Sequence, residues 1–135
     1  MRKDLDELLC QRYPKIFVDR HGDMLQTCMV WGFSCGDGWF QIIDDLCAAL
    51  QDRTDRGGAP QAVALQVKEK FGTLRFYARC VDDEAQVLIQ EAAKRSCVVC
   101  ENCGEPAVMR PEGWWHVYCD DCEEAYLKRG SVFDE

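Results

Sequence analysis

Two C-x2-C pairs near the end of the chain constrain it more than any other feature. "CENC" holds Cys100 and Cys103, "CDDC" holds Cys119 and Cys122, and fifteen residues lie between them. Two pairs at this separation are the spacing of a four-thiolate zinc site. The first pair has a competing register, because "CVVC" places Cys97 three residues ahead of Cys100. A metal knuckle turns sharply after its second ligand, where glycine can take positive φ. Gly104 follows Cys103, whereas Glu101 follows Cys100, and Cys97 falls where the preceding helical pattern still runs. Cys100, Cys103, Cys119 and Cys122 are therefore assigned to a structural Zn²⁺. Cys97 and His116 are kept as alternative ligands.

After Cys119 the acids Asp120, Asp121, Glu123 and Glu124 suit a first helical turn, Lys128 and Arg129 a last one, and Gly130 a stop. Thiolates at a helix N-terminus are stabilised by its unpaired N–H groups. Knuckle, hairpin ("PAVMRPEGWWHVY", turning at Pro111 to Gly113) and helix make a treble-clef-like module. That architecture serves binders of nucleic acid, protein and lipid alike, so it leaves function open. A catalytic zinc keeps an open position, but four thiolates complete a tetrahedron and act as a staple.

Ten cysteines would imply disulfides in a secreted chain, yet "MRKDLDELL" is neither a secretory signal nor a transit peptide, and no apolar run is long enough to span a membrane. A cytoplasmic protein with reduced thiols is expected. At 135 residues, 47% hydrophobic and 30% charged, the chain suits one main core with an appendage: residues 1–96 as an α+β core and 97–135 as the zinc module packed on it. The net charge is −8, and residues 96–135 hold nine acids against three bases. Such a tail repels phosphate.

Along the core, Asp4 and Glu7 have capping-box spacing ahead of a helix whose Leu5, Leu8, Leu9 and Tyr13 share one face up to Pro14. Residues 15–38 read as loop with one short strand at "TCMVWGF". Asp37 is placed to cap a second helix with Trp39, Ile42, Ile43, Leu46, Cys47 and Leu50 inward and Asp44 and Asp45 outward. "DRTDRGGAP" reads as a linker. A β-hairpin follows, turning near Gly72, with Val63, Leu65, Val67, Leu74, Phe76 and Ala78 inward and Glu69 exposed at a strand end. Asp82 then caps a helix with Ala85, Leu88, Ile89 and Ala92 inward. The expected fold is α+β, helices packed on a β-hairpin or small antiparallel sheet, with the treble-clef-like module behind it.

The hairpin's opposite face carries Lys68, Lys70, Arg75, Tyr77 and Arg79 with Gln66, the one concentrated basic surface of an acidic chain. Cations around an aromatic ring suit an acidic protein patch, or phosphate with a stacked base, and a solvated face is the plain alternative. In "GWWHVY" strand alternation sends Trp114 and Trp115 to opposite faces, which leaves one as a protein-contact anchor. "VDRHGD" places Asp19, His21 and Asp23 in one loop with Cys28 and Cys35 following, the ingredients of a Cys/His or metal-dependent hydrolase, although no nucleophile or phosphate-loop motif accompanies them.

"RYPKIF", "WGFSCGDGWF", "VKEKFGTLRFY" and the terminal "CENCG" and "YCDDC" together resemble a group of small phage and prophage proteins of uncharacterised function, over most of the chain. This sequence differs from that group in fusing "CVVC" onto "CENC" and in placing cysteine at the final ligand position, where histidine is usual. The resemblance implies a phage-encoded accessory protein acting in the host cytoplasm and supplies no reaction. The expected function is a non-enzymatic, zinc-stapled protein that binds and modulates a host protein, a defence-system component included, or a phage protein. Nucleic-acid binding through the basic hairpin face and hydrolysis centred on His21 are the alternatives.

Overall fold

The computed structural model describes residues 1–21 and 28–133. In chain order it has α1 (Lys3–Arg12), β1 (Phe33–Ser34), α2 (Phe40–Gly57), β2 (Val63–Lys70), β3 (Thr73–Arg79), α3 (Asp83–Ser96), β4 (Val108–Arg110), β5 (His116–Tyr118) and α4 (Asp120–Phe133). The fold is α+β, as the pattern predicts. No helix among the described residues is long and apolar enough to cross a membrane.

The sheet differs from a simple antiparallel hairpin. Its order is β1-β2-β3, and β1 pairs parallel to β2, with Phe33 opposite Val67 and Ser34 opposite Lys68. Parallel neighbours need a crossover, which α2 provides while burying Ile42, Ile43, Leu46, Cys47 and Leu50. The "TCMVWGF" stretch is largely a 3₁₀ turn over Cys28–Trp31, and only Phe33 and Ser34 of the following residues join the sheet. Thr27 lies outside the described residues. Phe33 stands edge-on to Phe17, ring centroids 5.0 Å apart, in a core shared with Leu9, Ile16, Met29 and Trp39.

α2 also runs further than the polar composition of residues 52–56 suggests. It ends where Gly58, at φ +70°, lets its own N–H reach Thr54 O and the Ala59 N–H reach Arg53 O. Asp82 caps α3 as predicted, accepting from the Ala85 N–H at 2.9 Å. It also takes both arms of the Arg53 guanidinium at 2.8 and 2.7 Å, and this pairing, then the cap, holds its carboxyl down at about 2.

The other two predicted caps do not form. Asp37 accepts from the Arg2 N–H instead, and no side chain caps α1 or α2. Asp44 does not face out: its carboxylate accepts from the Tyr13 hydroxyl at 2.8 Å and pairs with Arg12. Tertiary partners outcompete local ones at each of these positions.

A β-bulge between Ala64 and Gln66 shifts the hairpin's phase. Ala64 shares one face with Ala78, Val67 and Phe76, while Val63, also buried, lies opposite Arg79. Glu69 is not a free strand end; its carboxylate accepts from the Gly72 N–H at 2.9 Å and braces the turn. That turn is Phe71–Gly72, with φ of +53° and +78°, joining Lys70 to Thr73. Two positive φ values match a tight hairpin, where asparagine or glycine is favoured. Phenylalanine there costs about 1–2 kcal/mol.

The cysteine module docks on the N-terminal end of α2. Gly38 N–H donates to Glu101 O at 2.7 Å, Gly36 N–H to the Glu101 carboxylate at 2.9 Å, and the buried Trp39 indole to Val99 O at 2.9 Å. Burial pushes the Glu101 carboxyl up, against the lowering effect of the Gly36 N–H.

Candidate metal centre

The knuckle is a short antiparallel loop. Val99 bridges Pro106, Ala107 N–H donates to Val98 O, and Cys100 N–H donates to Glu105 O at 2.7 Å. Gly104, at φ +86°, turns its N–H back to Cys100 O at 2.9 Å, as a glycine after the second ligand should. Glu101 N–H reaches Val117 O on β5 and so ties the knuckle to the following hairpin. β4 and β5 pair antiparallel, Met109 opposite Val117. Cys119 directly precedes α4 and Cys122 lies in its first turn. α4 runs on to Phe133, past the stop expected at Gly130.

This arrangement brings together the sulfurs of Cys100, Cys103, Cys119 and Cys122, all within 4.8 Å of one another. The Cys103 and Cys119 sulfurs are 3.6 Å apart. Tetrahedral ligation at about 2.3 Å per bond separates sulfurs by about 3.8 Å, so the four can hold a metal ion. Polar hydrogens already point at them: Asn102 Nδ2 donates to the Cys122 sulfur at 3.2 Å, and Cys122 N–H to the Cys119 sulfur at 3.4 Å.

As bare thiols the cluster is electrostatically mismatched. Burial raises the Cys100 thiol, but backbone groups of Cys119, Cys103 and Asn102 outweigh it and hold that thiol below its usual value. The Glu105 backbone favours the Cys103 thiolate, yet burial and the three neighbouring sulfurs push that thiol up to about 12. One thiolate suppresses the next, and a cation shared among them would relieve this.

Cys97 lies outside this group. It closes the end of α3, its thiol donating to Ala93 O at 3.5 Å and lying 3.8 Å from the Thr73 hydroxyl. His116 is buried, with Nε2 2.7 Å from a Glu123 carboxylate oxygen and Nδ1 2.7 Å from Trp114 O. Both ring nitrogens thus face oxygen partners. The imidazole packs among Trp114, Tyr118 and Tyr126, ring centroids 5.4, 4.7 and 5.1 Å away. This clasp between hairpin and helix escapes a reading by motif, although Trp114, His116 and Tyr118 alternate and Glu123 and Tyr126 share one face of α4. His116→Ala is expected to leave the metal content of the chain unchanged. It should destabilise the module on the order of 2 kcal/mol by orphaning the buried Glu123 carboxylate. Metal analysis and urea unfolding check the two parts.

The hairpin's outer face is open at its centre. Lys68 lies opposite Arg75, Gln66 opposite Tyr77 and Lys70 opposite Thr73, so their side chains share one face. Tyr77 is 44% exposed. Arg79 pairs with Asp19 at 3.1 Å, whereas Lys68, Lys70 and Arg75 have no ion pair among the described residues. Neither Asp44 nor Asp45 neutralises them, because Asp45 pairs with Arg95. Trp114 and Trp115 precede β5, and both, rather than one, are 54% exposed.

Of the thiols expected near His21, Cys35 alone has a described side chain, and it is not poised to react. Cys35 is buried, and burial, then Glu101, pushes its thiol up to about 12. Asp19 is turned to Arg79, and Asp23 and the Cys28 side chain lie outside the described residues. A shallow cleft does hold His21 with Cys10, Asp6 and Arg20, but Asp6 is engaged by Arg20 at 3.1 Å. Burial and the Asp6 carboxylate push the Cys10 thiol up to about 11, the reverse of what a nucleophile needs.

No protein-family model, curated protein or solved structure matches this chain.

Proposed function

We propose that Cys100, Cys103, Cys119 and Cys122 hold a structural Zn²⁺, and that the chain is a non-enzymatic accessory protein of the phage type that binds and modulates a protein of the host or phage. A host defence component is one target within that class. The convergence of four sulfurs within 4.8 Å carries the reading. Four soft thiolates suit zinc, and they fill its tetrahedron with no place for substrate or activated water. The ion would join the knuckle to the start of α4, and the site's role is then mechanical. It fixes a small module that presents Trp114 and Trp115 to solvent.

Binding of nucleic acid is a second reading, favoured by Lys68, Lys70 and Arg75, which have no ion pair among the described residues, around an exposed Tyr77. Affinity capture with the tagged chain from host lysate, with and without nuclease, separates the two. The expected result is one protein retained at stoichiometric level after nuclease and at raised salt. Recovery of nucleic acid alone, lost steeply as salt rises, would replace the first reading with the second.

A further inference from the structure

Two exposed aromatic residues from distant parts of the sequence flank the seam where the β2–β3 turn touches the β4–β5 hairpin. Phe71, at the tip of the β2–β3 turn, is 65% exposed and sits in a left-handed backbone conformation that aromatic residues rarely adopt. Its neighbour Gly72 is seated against the zinc hairpin: a Cβ there would lie 2.6 Å from the Met109 sulfur and 3.5 Å from the His116 nitrogen. Trp115, 54% exposed, immediately precedes that nitrogen. A bulky apolar side chain kept at a strained, solvent-facing turn calls for a role outside the fold.

The charges around this seam are sorted by sign. On the sheet side Lys70 Nζ lies 5.8 Å from the Phe71 ring centroid, and Lys68 and Arg75 continue the cationic face. On the module side the exposed Glu112 lies in the same β4–β5 loop as Trp115, in a segment, residues 96–135, whose sequence carries nine acids against three bases. An aromatic centre between opposite charges is the anatomy of a protein-recognition patch. A nucleic acid, anionic throughout, complements the sheet and is repelled by the module, whereas a polypeptide can present both signs in order.

We infer that the outer β2–β3 face, Phe71 and Trp115 form one recognition surface whose partner is a protein segment carrying carboxylates, then apolar side chains, then cations. This inference rests on the protein-binding reading above and names the chemistry of its partner.

The full zinc-loaded chain is titrated with three probes and followed by amide NMR. One is a peptide of sequence Glu-Thr-Glu-Thr-Leu-Leu-Thr-Lys-Thr-Lys, the second has the same composition with the charges interleaved, and the third is a ten-nucleotide oligothymidylate. The segregated peptide should perturb Lys68, Lys70, Arg75 and the Trp115 indole, and bind about tenfold tighter than either other probe. Phe71→Asn should raise Tm, since it relieves the turn, and weaken the same binding about tenfold. Tighter binding of the oligothymidylate on those amides, no perturbation by the segregated peptide, or undiminished binding by Phe71→Asn would each overturn the inference. Repeating the lysate capture with Phe71→Asn and with Lys68→Glu/Arg75→Glu separates the two levels. A protein held equally by wild type and variants leaves the protein-binding reading standing and removes this surface from it.

Discussion

Cys103→Ala is expected to lose the zinc and, with it, the folded state of residues 97–133. Structural Zn²⁺ contributes about 10 kcal/mol or more to small metal-dependent modules, so removing one of four thiolates leaves this tail without its main source of order. The tail is poor in alternatives: β4 and β5 have three residues each, and among the described residues Cys100 and Val117 are its fully buried apolar side chains. Amide exchange should show loss of protection in β4, β5 and α4 while α2 and the β2–β3 pair keep theirs. EDTA on the wild type should produce the same pattern. Cys97→Ala, which removes only a thiol held by Ala93 O, should keep one zinc per chain. A folded Cys103→Ala protein that retains zinc would return Cys97 to the ligand set.

The second large effect falls on a residue outside the cysteine module. A Cβ on Gly38 would collide with Cys100 O and lie 2.6 Å from Gly104 N and 2.7 Å from the Glu101 carbonyl carbon. All three are backbone atoms of the knuckle, so no side chain can rotate away. Gly38→Ala must therefore push the module off α2 and break the Gly38 N–H bond to Glu101 O. Overpacking commonly costs 1–3 kcal/mol, and about 3–4 kcal/mol is expected here because backbone has to move. Gly57→Ala is the control: nothing lies within 4 Å, the position is helical, and a gain of about 0.5 kcal/mol is expected. Equal urea midpoints for wild type and Gly38→Ala would show that the docking is not as tight as these contacts require.

What could be read from the sequence was local. The inward face of α2, the Asp82 cap and the two cysteine pairs each depend on residues a few positions apart, where periodicity and spacing are decisive. Gly104 decided between the two knuckle registers because a sharp turn needs a residue free to take positive φ. The parallel β1, by contrast, depends on Phe33 meeting Val67 across the whole of α2. The docking of the module depends on Gly36 and Gly38 meeting Glu101, 65 residues away in the first case. Asp37 has the composition of a cap but serves Arg2, and Asp44 looks solvent-facing but serves Tyr13, since a partner distant in sequence leaves no periodic trace. The bulge at Ala64–Gln66 leaves Val63 buried, as expected, but puts it on the strand face opposite Ala64 for a similar reason: one extra residue inverts the alternation on which the assignment rests. His116 was visible as an alternative ligand because it is the one histidine near the cysteine pairs. Only the fold shows both of its nitrogens turned to Glu123 and Trp114.

The measurement that bears most directly on the account is X-ray absorption at the zinc edge of the purified full chain. A closed staple of Cys100, Cys103, Cys119 and Cys122 predicts four sulfur scatterers at about 2.3 Å and no lighter atom in the first shell. A nitrogen or oxygen scatterer at about 2.0 Å would mean a histidine or water on the metal, and a site open to chemistry instead of a staple.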